Sequence, residues 1–198
     1  MSRSLAYLEV EEIARRLQDN AAHIRTIHET HASENLKCAA VLVPLLQERG
    51  KWHLLFTRRT EYVESHKGQV SFPGGACDAG ENLPEETALR EAEEEIGLKR
   101  EQVHILGRLP PMVTITRFRV TPVVGVIEWP IALKVSTLEV ARVFTIPLAW
   151  LADPQNRWEF FRPDRGPLIA YHPYDGELLW GATARMTLML LEALGDDD

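Results

Sequence analysis

The sequence predicts a single domain of mixed α and β structure, because strands and helices neither alternate regularly along it nor fall into separate blocks. The length of 198 residues fits one domain with additional terminal helices. No tract of the chain has the length or composition of a linker that would divide it. We therefore expect one α/β (mixed α+β) domain.

An amphipathic helix is predicted over 5–27, since apolar side chains recur there at helical spacing. A polar stretch follows, so we expect 1–35 to form a helix and a loop that pack on a domain spanning 36–195. The pattern of that domain predicts strands at 37–46, 52–58, 69–72, 103–109, 120–127, 140–145, 158–161 and 168–172, and helices at 84–96, 148–153 and 183–194.

The charge and hydropathy of the chain exclude several classes of function. The net charge of −7 argues against binding to nucleic acid or to acidic membrane surfaces. No apolar run approaches the length of a membrane span, and the first residues do not resemble a signal peptide, which predicts a cytoplasmic protein. An anionic substrate would therefore need cations that are recruited locally.

The two cysteines, Cys38 and Cys77, bear on the redox state of the compartment in which the protein works. They could pair, but a single pair is a poor disulfide framework, which favours free thiols in a reducing cytosol. Under that interpretation Cys77 is a small loop residue.

The helix predicted at 84–96 carries three carboxylates on one arc. With Glu91 at zero on a helical wheel, Glu95 falls at about 40° and Glu94 at about 300°, beside a separate apolar face. Two unit charges about 6 Å apart repel by roughly 3 kcal/mol at an effective dielectric constant near 20. A divalent cation removes that penalty, and oxygen ligands favour Mg²⁺ or Mn²⁺ over zinc.

A glycine-rich loop, Pro73-Gly74-Gly75, precedes this helix and would let backbone carbonyls approach a metal or a phosphate closely. The loop and the acidic arc together predict a site for a metal-bound pyrophosphate. The alternative is that the acidic arc is only a solvated face, as we expect for the acidic residues that begin the helix at 5–27.

The segment from Gly74 to Leu98 resembles the Nudix box, the signature of the Nudix hydrolases. Eight residues rather than the usual seven separate Glu81 from Arg90, and the spacing within the helix is intact. The resemblance implies an α/β/α sandwich around a mixed β-sheet, with the box helix against one side. It implies that the metal ligands are Gly75, Glu91, Glu94 and Glu95. The catalytic residues that it implies are Glu94, Glu95 and Arg90, of which Arg90 orients carboxylates.

A second segment, from Leu55 to Gly75, resembles the motif that precedes the box in the coenzyme A pyrophosphatase branch of that family. The lengthened box also occurs in that branch. Glu64 departs from the motif, which has Arg there, so other cations would have to contact an anionic substrate. The candidate substrate-binding residues are Arg59, Lys67, Phe72, Gly74 and Arg117.

The resemblance implies cleavage of coenzyme A or acyl-coenzyme A to 4′-phosphopantetheine and adenosine 3′,5′-bisphosphate. Three alternatives stay open: a Nudix pyrophosphatase that acts on ADP-ribose or another nucleoside diphosphate derivative, a catalytically silent ligand sensor of the same fold, and a protein-interaction module. The expected partner is a small nucleotide substrate, with no nucleic acid and no membrane. The sequence leaves the oligomeric state open, with a homodimer as one alternative.

Overall fold

A computed structural model describes residues 5, 7–25, 36–61, 67–163 and 166–195, with the backbone alone for 20–25. Two short 3₁₀ helices, Arg100–Gln102 and Pro154–Asn156, join longer elements. The helices are α1 (Val10–Arg25), α2 (Pro84–Ile96), α3 (Leu148–Ala152) and α4 (Gly181–Leu194). The strands are β1 (Lys37–Glu48), β2 (Lys51–Arg59), β3 (Val70–Ser71), β4 (Gly74–Ala76), β5 (Val103–Arg108), β6 (Met112–Val113), β7 (Phe118–Ile127), β8 (Val140–Pro147), β9 (Arg157–Arg162) and β10 (Gly166–Tyr171).

The main sheet is mixed and is organised around β1. Its strands run in the order β3-β2-β1-β7-β5, while β4 pairs with β1, β6 with β7 and β8 with β2. The β1–β7 pair is parallel and the β1–β2 pair is antiparallel. The strands β9 and β10 form a separate antiparallel hairpin.

Helices cover both faces of the sheet, and each face has its own core. On one face, Ala88, Ala92 and Ile96 of α2 pack against Leu42 of β1 and Leu55 of β2. The opposite core is larger, and α1 and α4 contribute to it the buried residues Ile13, Leu17, Leu190 and Leu194. The sandwich of helices around a mixed sheet that the sequence predicts is confirmed.

The helix α2 begins and ends at the predicted residues because its termini are capped. Pro84 occupies the first turn, where its missing N–H leaves no hydrogen bond unmade. The Glu86 carboxylate accepts hydrogen bonds from the backbone N–H groups of Asn82 (2.7 Å) and Leu83 (3.0 Å). Gly97 ends the helix in the left-handed conformation at φ 70°, which glycine adopts without strain.

Two local predictions were wrong. The helix predicted from residue 5 is not continuous, since residues 7–9 are not helical and α1 begins only at Val10; in this stretch the Leu8 carbonyl accepts a hydrogen bond from Trp52 Nε1 (2.8 Å). The stretch Gly74–Ala76 is a short strand rather than a loop, since it pairs with β1. The end of the predicted first helix and the polar stretch after it fall at 26–35, outside the described residues.

Candidate active site

Two glycines of β4 let the box helix approach the sheet closely. Gly74 and Gly75 pair with Val41 and Ala40 of β1. A Cβ on Gly74 would lie 2.5 Å from the Ala40 carbonyl oxygen, and a Cβ on Gly75 would lie 2.3 Å from Glu91 Oε1. The missing side chain at Gly75 therefore makes room for the carboxylate of Glu91 directly against the strand.

Arg90 connects the carboxylates of α2 to the segment before the helix. Its Nε donates to Glu81 Oε1 (2.9 Å), and its Nη1 donates to Glu91 Oε1 (2.9 Å) and Glu94 Oε2 (3.2 Å). Its Nη2 donates to the Ala76 carbonyl (3.0 Å). The hydrogen bond from Arg90 is the largest cause that lowers the pKa of Glu81 to about 2. One guanidinium thus ties two predicted metal ligands to β4.

Glu95 is the most deeply buried carboxylate of the helix, with a side chain only 2% exposed. Burial raises the pKa of Glu95 to about 7, the charges of Glu91 and Glu139 add to that rise, and the Arg59 guanidinium and the backbone N–H of Gly74 oppose it. Arg59 Nη1 donates to Glu95 Oε1 at 3.2 Å. The other oxygen, Oε2, is buried without a hydrogen-bond partner. An ionised Glu95 therefore lacks the full set of contacts that a buried charge needs.

The carboxylates of the box face three different environments. Burial also raises the pKa of Glu91, whereas the side chain of Glu94 is 57% exposed. Within the described ranges, no three His, Cys, Asp or Glu side chains are gathered closely enough to hold a metal ion. Arg90 pairs with Glu91 and Glu94, and Arg59 pairs with Glu95.

The corner formed by Gly75, Glu91, Glu94 and Glu95, here called the metal corner, nevertheless has donors that fit a hard divalent cation. All the predicted ligand atoms are oxygens, which Mg²⁺ and Mn²⁺ prefer. Glu95 Oε2 is a buried acceptor in need of a partner. Glu91 lies against Gly75, and any side chain at that position would occupy the space of the Glu91 carboxylate.

The predicted substrate-binding residues do not converge on one surface. Arg59 points at Glu95, and Phe72 is buried in the opposite core, where its ring stacks on Phe56 with centroids 4.8 Å apart. Phe72 therefore packs in this core.

The other candidates lie nearer the surface. Gly74 belongs to β4, next to the metal corner. Lys67 and Arg117 are exposed, Lys67 in the turn before β3 and Arg117 before β7, where its carbonyl accepts a hydrogen bond from the Lys37 N–H (3.0 Å). Glu64 falls outside the described residues.

One carboxylate of this corner escaped the sequence analysis. Glu139 ends the connection from β7 to β8, and its charge raises the pKa of both Glu91 and Glu95. The connection is anchored to the site, because Ser136 N–H donates to the Glu95 carbonyl (2.8 Å) and Thr60 N–H donates to the Glu139 carbonyl (2.9 Å). No motif surrounds Glu139, so only the pairing of β2 with β8 reveals its position.

The two cysteines are joined in a disulfide, which corrects the expectation of free thiols. Cys38 lies on β1 and Cys77 follows β4, and their Cα atoms are 5.3 Å apart. The Cys77 N–H donates to the Cys38 carbonyl (3.1 Å), so the bridge extends the pairing of β4 with β1. The sequence could not show this, because residues 39 positions apart become neighbours only when β4 joins the sheet.

Comparisons with known proteins agree with this geometry. The model of the NUDIX domain family matches residues 36–165. A protein of Yersinia enterocolitica named Uncharacterized Nudix hydrolase NudL is 38% identical over 163 residues, covering 81% of this chain and 83% of the relative. A protein of the same name from Salmonella paratyphi B is 36% identical over 168 residues, covering 84% of this chain and 87% of the relative.

Solved structures are similar to this chain at lower sequence identity. The Nudix hydrolase RenU of M. smegmatis superposes with a TM-score of 0.50 at 21% identity, covering 59% of this chain and 74% of the other. An Ap4A hydrolase of C. elegans has a TM-score of 0.49 at 23% identity, covering 56% of this chain and 80% of that one. The likeness to RenU concerns the fold alone.

Proposed function

Because the chain belongs to the Nudix hydrolase family, which cleaves pyrophosphate bonds, we propose that it hydrolyses the diphosphate of coenzyme A or an acyl-coenzyme A. The products would be 4′-phosphopantetheine and adenosine 3′,5′-bisphosphate. The observation that supports a hydrolase most directly is the corner at β4, where Gly75, Arg90 and Glu91 are in contact and no carboxylate of the box is missing. A catalytically silent sensor would have no use for an intact set.

The corner would hold Mg²⁺ or Mn²⁺ through the Gly75 carbonyl and the carboxylates of Glu91, Glu94 and Glu95. When bound, such an ion neutralises the diphosphate and lowers the pKa of a water molecule. Arg90 would keep Glu91 and Glu94 oriented, since it donates to both. Glu139 lies outside this ligand set and close enough to Glu91 and Glu95 to raise the pKa of both, so we assign to it the acceptance of the proton of the attacking water.

The assignment to coenzyme A rests on the motif from Leu55 to Gly75. The described parts of this segment lie in β2, β3 and β4, and two of its residues, Arg59 and Gly75, lie against Glu95 and Glu91. Coenzyme A carries a 3′-phosphate, and a protein of net charge −7 must supply cations to it locally. The exposed side chains of Lys67 and Arg117 are the candidates for that contact. One charge-assisted hydrogen bond would favour coenzyme A about ten- to a hundredfold over a substrate without the phosphate.

A substrate panel tests the proposal. Purified protein would be incubated with Mg²⁺ or Mn²⁺ and with coenzyme A, dephospho-coenzyme A, ADP-ribose or a dinucleoside polyphosphate, and the products separated by chromatography. We expect the highest kcat/KM for coenzyme A and a lower value for dephospho-coenzyme A. Faster cleavage of ADP-ribose would replace the coenzyme A assignment with the rival pyrophosphatase. Tight binding without cleavage of any substrate would show a sensor instead.

A further inference from the structure

The last residue of β2, Arg59, is held against the box helix. Arg59 Nη1 lies 3.2 Å from Glu95 Oε1, and the Arg59 side chain is only 24% exposed. Its backbone N–H donates to the Gln69 carbonyl (3.0 Å), which fixes the chain at this point. The guanidinium therefore meets Glu95 from a rigid strand.

The pairing of β2 with β8 helps to aim this side chain. The register shifts between Arg58 and Arg59, whose partners are Arg142 and Val140. Such a bulge is a common means of directing side chains beside a site. Arg58 leaves the strand on the opposite face, where it pairs with Glu177 at 3.2 Å. Two consecutive arginines thus each meet a buried glutamate, and only Arg59 meets one at the metal corner.

The ion pair with Arg59 engages Oε1 of Glu95 and does not involve Oε2. Oε2 is buried and has no hydrogen-bond partner. We propose that Arg59 is a positioning residue, which holds Glu95 Oε1 so that Oε2 is presented to the divalent cation. This assignment rests on the proposed function, and it replaces the expectation that Arg59 contacts the substrate.

The affinity for the cation distinguishes a positioning role of Arg59 from a purely electrostatic effect of its charge. Removal of a positive charge beside a cation site should tighten cation binding if only charge matters. Loss of positioning should weaken it, because Glu95 would no longer present a fixed oxygen. Substitutions of groups that orient metal ligands typically weaken metal affinity about ten- to a hundredfold. The two accounts therefore predict changes of opposite sign.

The experiment compares wild type with Arg59→Gln, Arg59→Lys and the control Arg58→Gln. The dissociation constant of Mn²⁺ alone is measured by electron paramagnetic resonance, without substrate, and kcat and KM are then measured on coenzyme A. The control removes a positive charge from the preceding residue, Arg58, and Glu177 keeps Arg142 as a partner (3.0 Å). Because Arg59→Gln leaves a buried carboxylate unpaired and could destabilise the fold, Arg59→Lys keeps the comparison decisive.

We expect Arg59→Gln to bind Mn²⁺ about tenfold more weakly and to lose about tenfold in kcat, with KM within about threefold of wild type. Arg59→Lys should recover part of both losses, and Arg58→Gln should match wild type. Unchanged or tighter Mn²⁺ binding by Arg59→Gln would overturn the assignment, as would a change confined to KM. A wild type that binds no Mn²⁺ would overturn the metal mechanism itself, and with it the role of Arg59.

Discussion

Glu91 lies against Gly75 so closely that a Cβ on the glycine would come within 2.3 Å of the carboxylate oxygen Oε1. The neighbouring Gly74 is equally tight, but against backbone, since its Cβ would lie 2.5 Å from the Ala40 carbonyl oxygen. A flexible side chain can move away from a new methyl group, whereas a sheet strand cannot without losing its pairing. Adjacent glycines therefore serve different purposes, one for the site and one for the fold.

The first prediction follows from this contrast. Gly75→Ala should displace Glu91 and reduce kcat/KM at least about tenfold, because a ligand shifted by an ångström no longer fits the metal. Its melting temperature should stay close to that of wild type. Steady-state kinetics and thermal unfolding on the same preparations measure both effects.

Gly74→Ala is the matched control for the glycine prediction. We expect it to destabilise the protein by about 1–3 kcal/mol, since it overpacks the backbone of β1. An active Gly75→Ala, or a Gly74→Ala variant as stable as wild type, would show that the two contacts do not have these roles.

The second prediction concerns pH. Because burial raises the pKa of Glu95 to about 7, the folded protein binds its proton more tightly than the unfolded chain, where the pKa is about 4.3. The contribution of Glu95 to stability is therefore fully present below the unfolded pKa and is lost as pH rises through about 7. Arg59, Glu91 and Glu139 face this carboxylate. All three are the same in wild type and in the variant compared with it below.

The measurement is urea unfolding in EDTA at pH 5 and pH 8, for wild type and Glu95→Gln. Between these values the free energy of unfolding of wild type should fall relative to the variant by on the order of 2–3 kcal/mol. The variant carries a neutral group at both pH values, so it isolates the titration of Glu95. Parallel pH profiles for the two proteins would contradict a raised pKa.

The third prediction concerns the disulfide between Cys38 and Cys77. A bridge across 39 residues should stabilise the protein by about 4 kcal/mol through the entropy of the unfolded chain. A dithiol reductant should therefore lower the free energy of unfolding in urea. The double variant Cys38→Ala with Cys77→Ala should not respond to the reductant. Two free thiols in the unreduced protein would show that the bridge does not form.

Much of the fold was predictable because its strongest signals are local. The ends of α2 followed from Pro84 and Gly97, whose effects depend only on the neighbouring turn. The strand at Gly74–Ala76 was not predictable, because glycine has low strand propensity and only β1 supplies the partner. The disulfide was missed for the same reason.

In the active site, too, local patterns were predictable and tertiary contacts were not. Helical spacing was enough to place Glu91, Glu94 and Glu95 on one arc. It could not show that Glu95, next to the apolar face, would be buried or that Arg59 would meet it. Alternation along a strand also does not reveal which face carries the site, so the sequence could not place the Phe72 ring in the core opposite α2. Glu139 required the pairing of β8 with β2, which is a tertiary contact.

The most direct test of a metal-dependent hydrolase is turnover of the best substrate of the panel by wild type, Glu94→Gln and Glu95→Gln in Mg²⁺, and by wild type in excess EDTA. The account predicts a loss of at least about a hundredfold in each variant and in EDTA, with circular dichroism spectra unchanged. Both substitutions preserve the shape of the side chain and remove its charge. Wild-type rates in Glu95→Gln, or in EDTA, would contradict the claim that these carboxylates bind the catalytic metal.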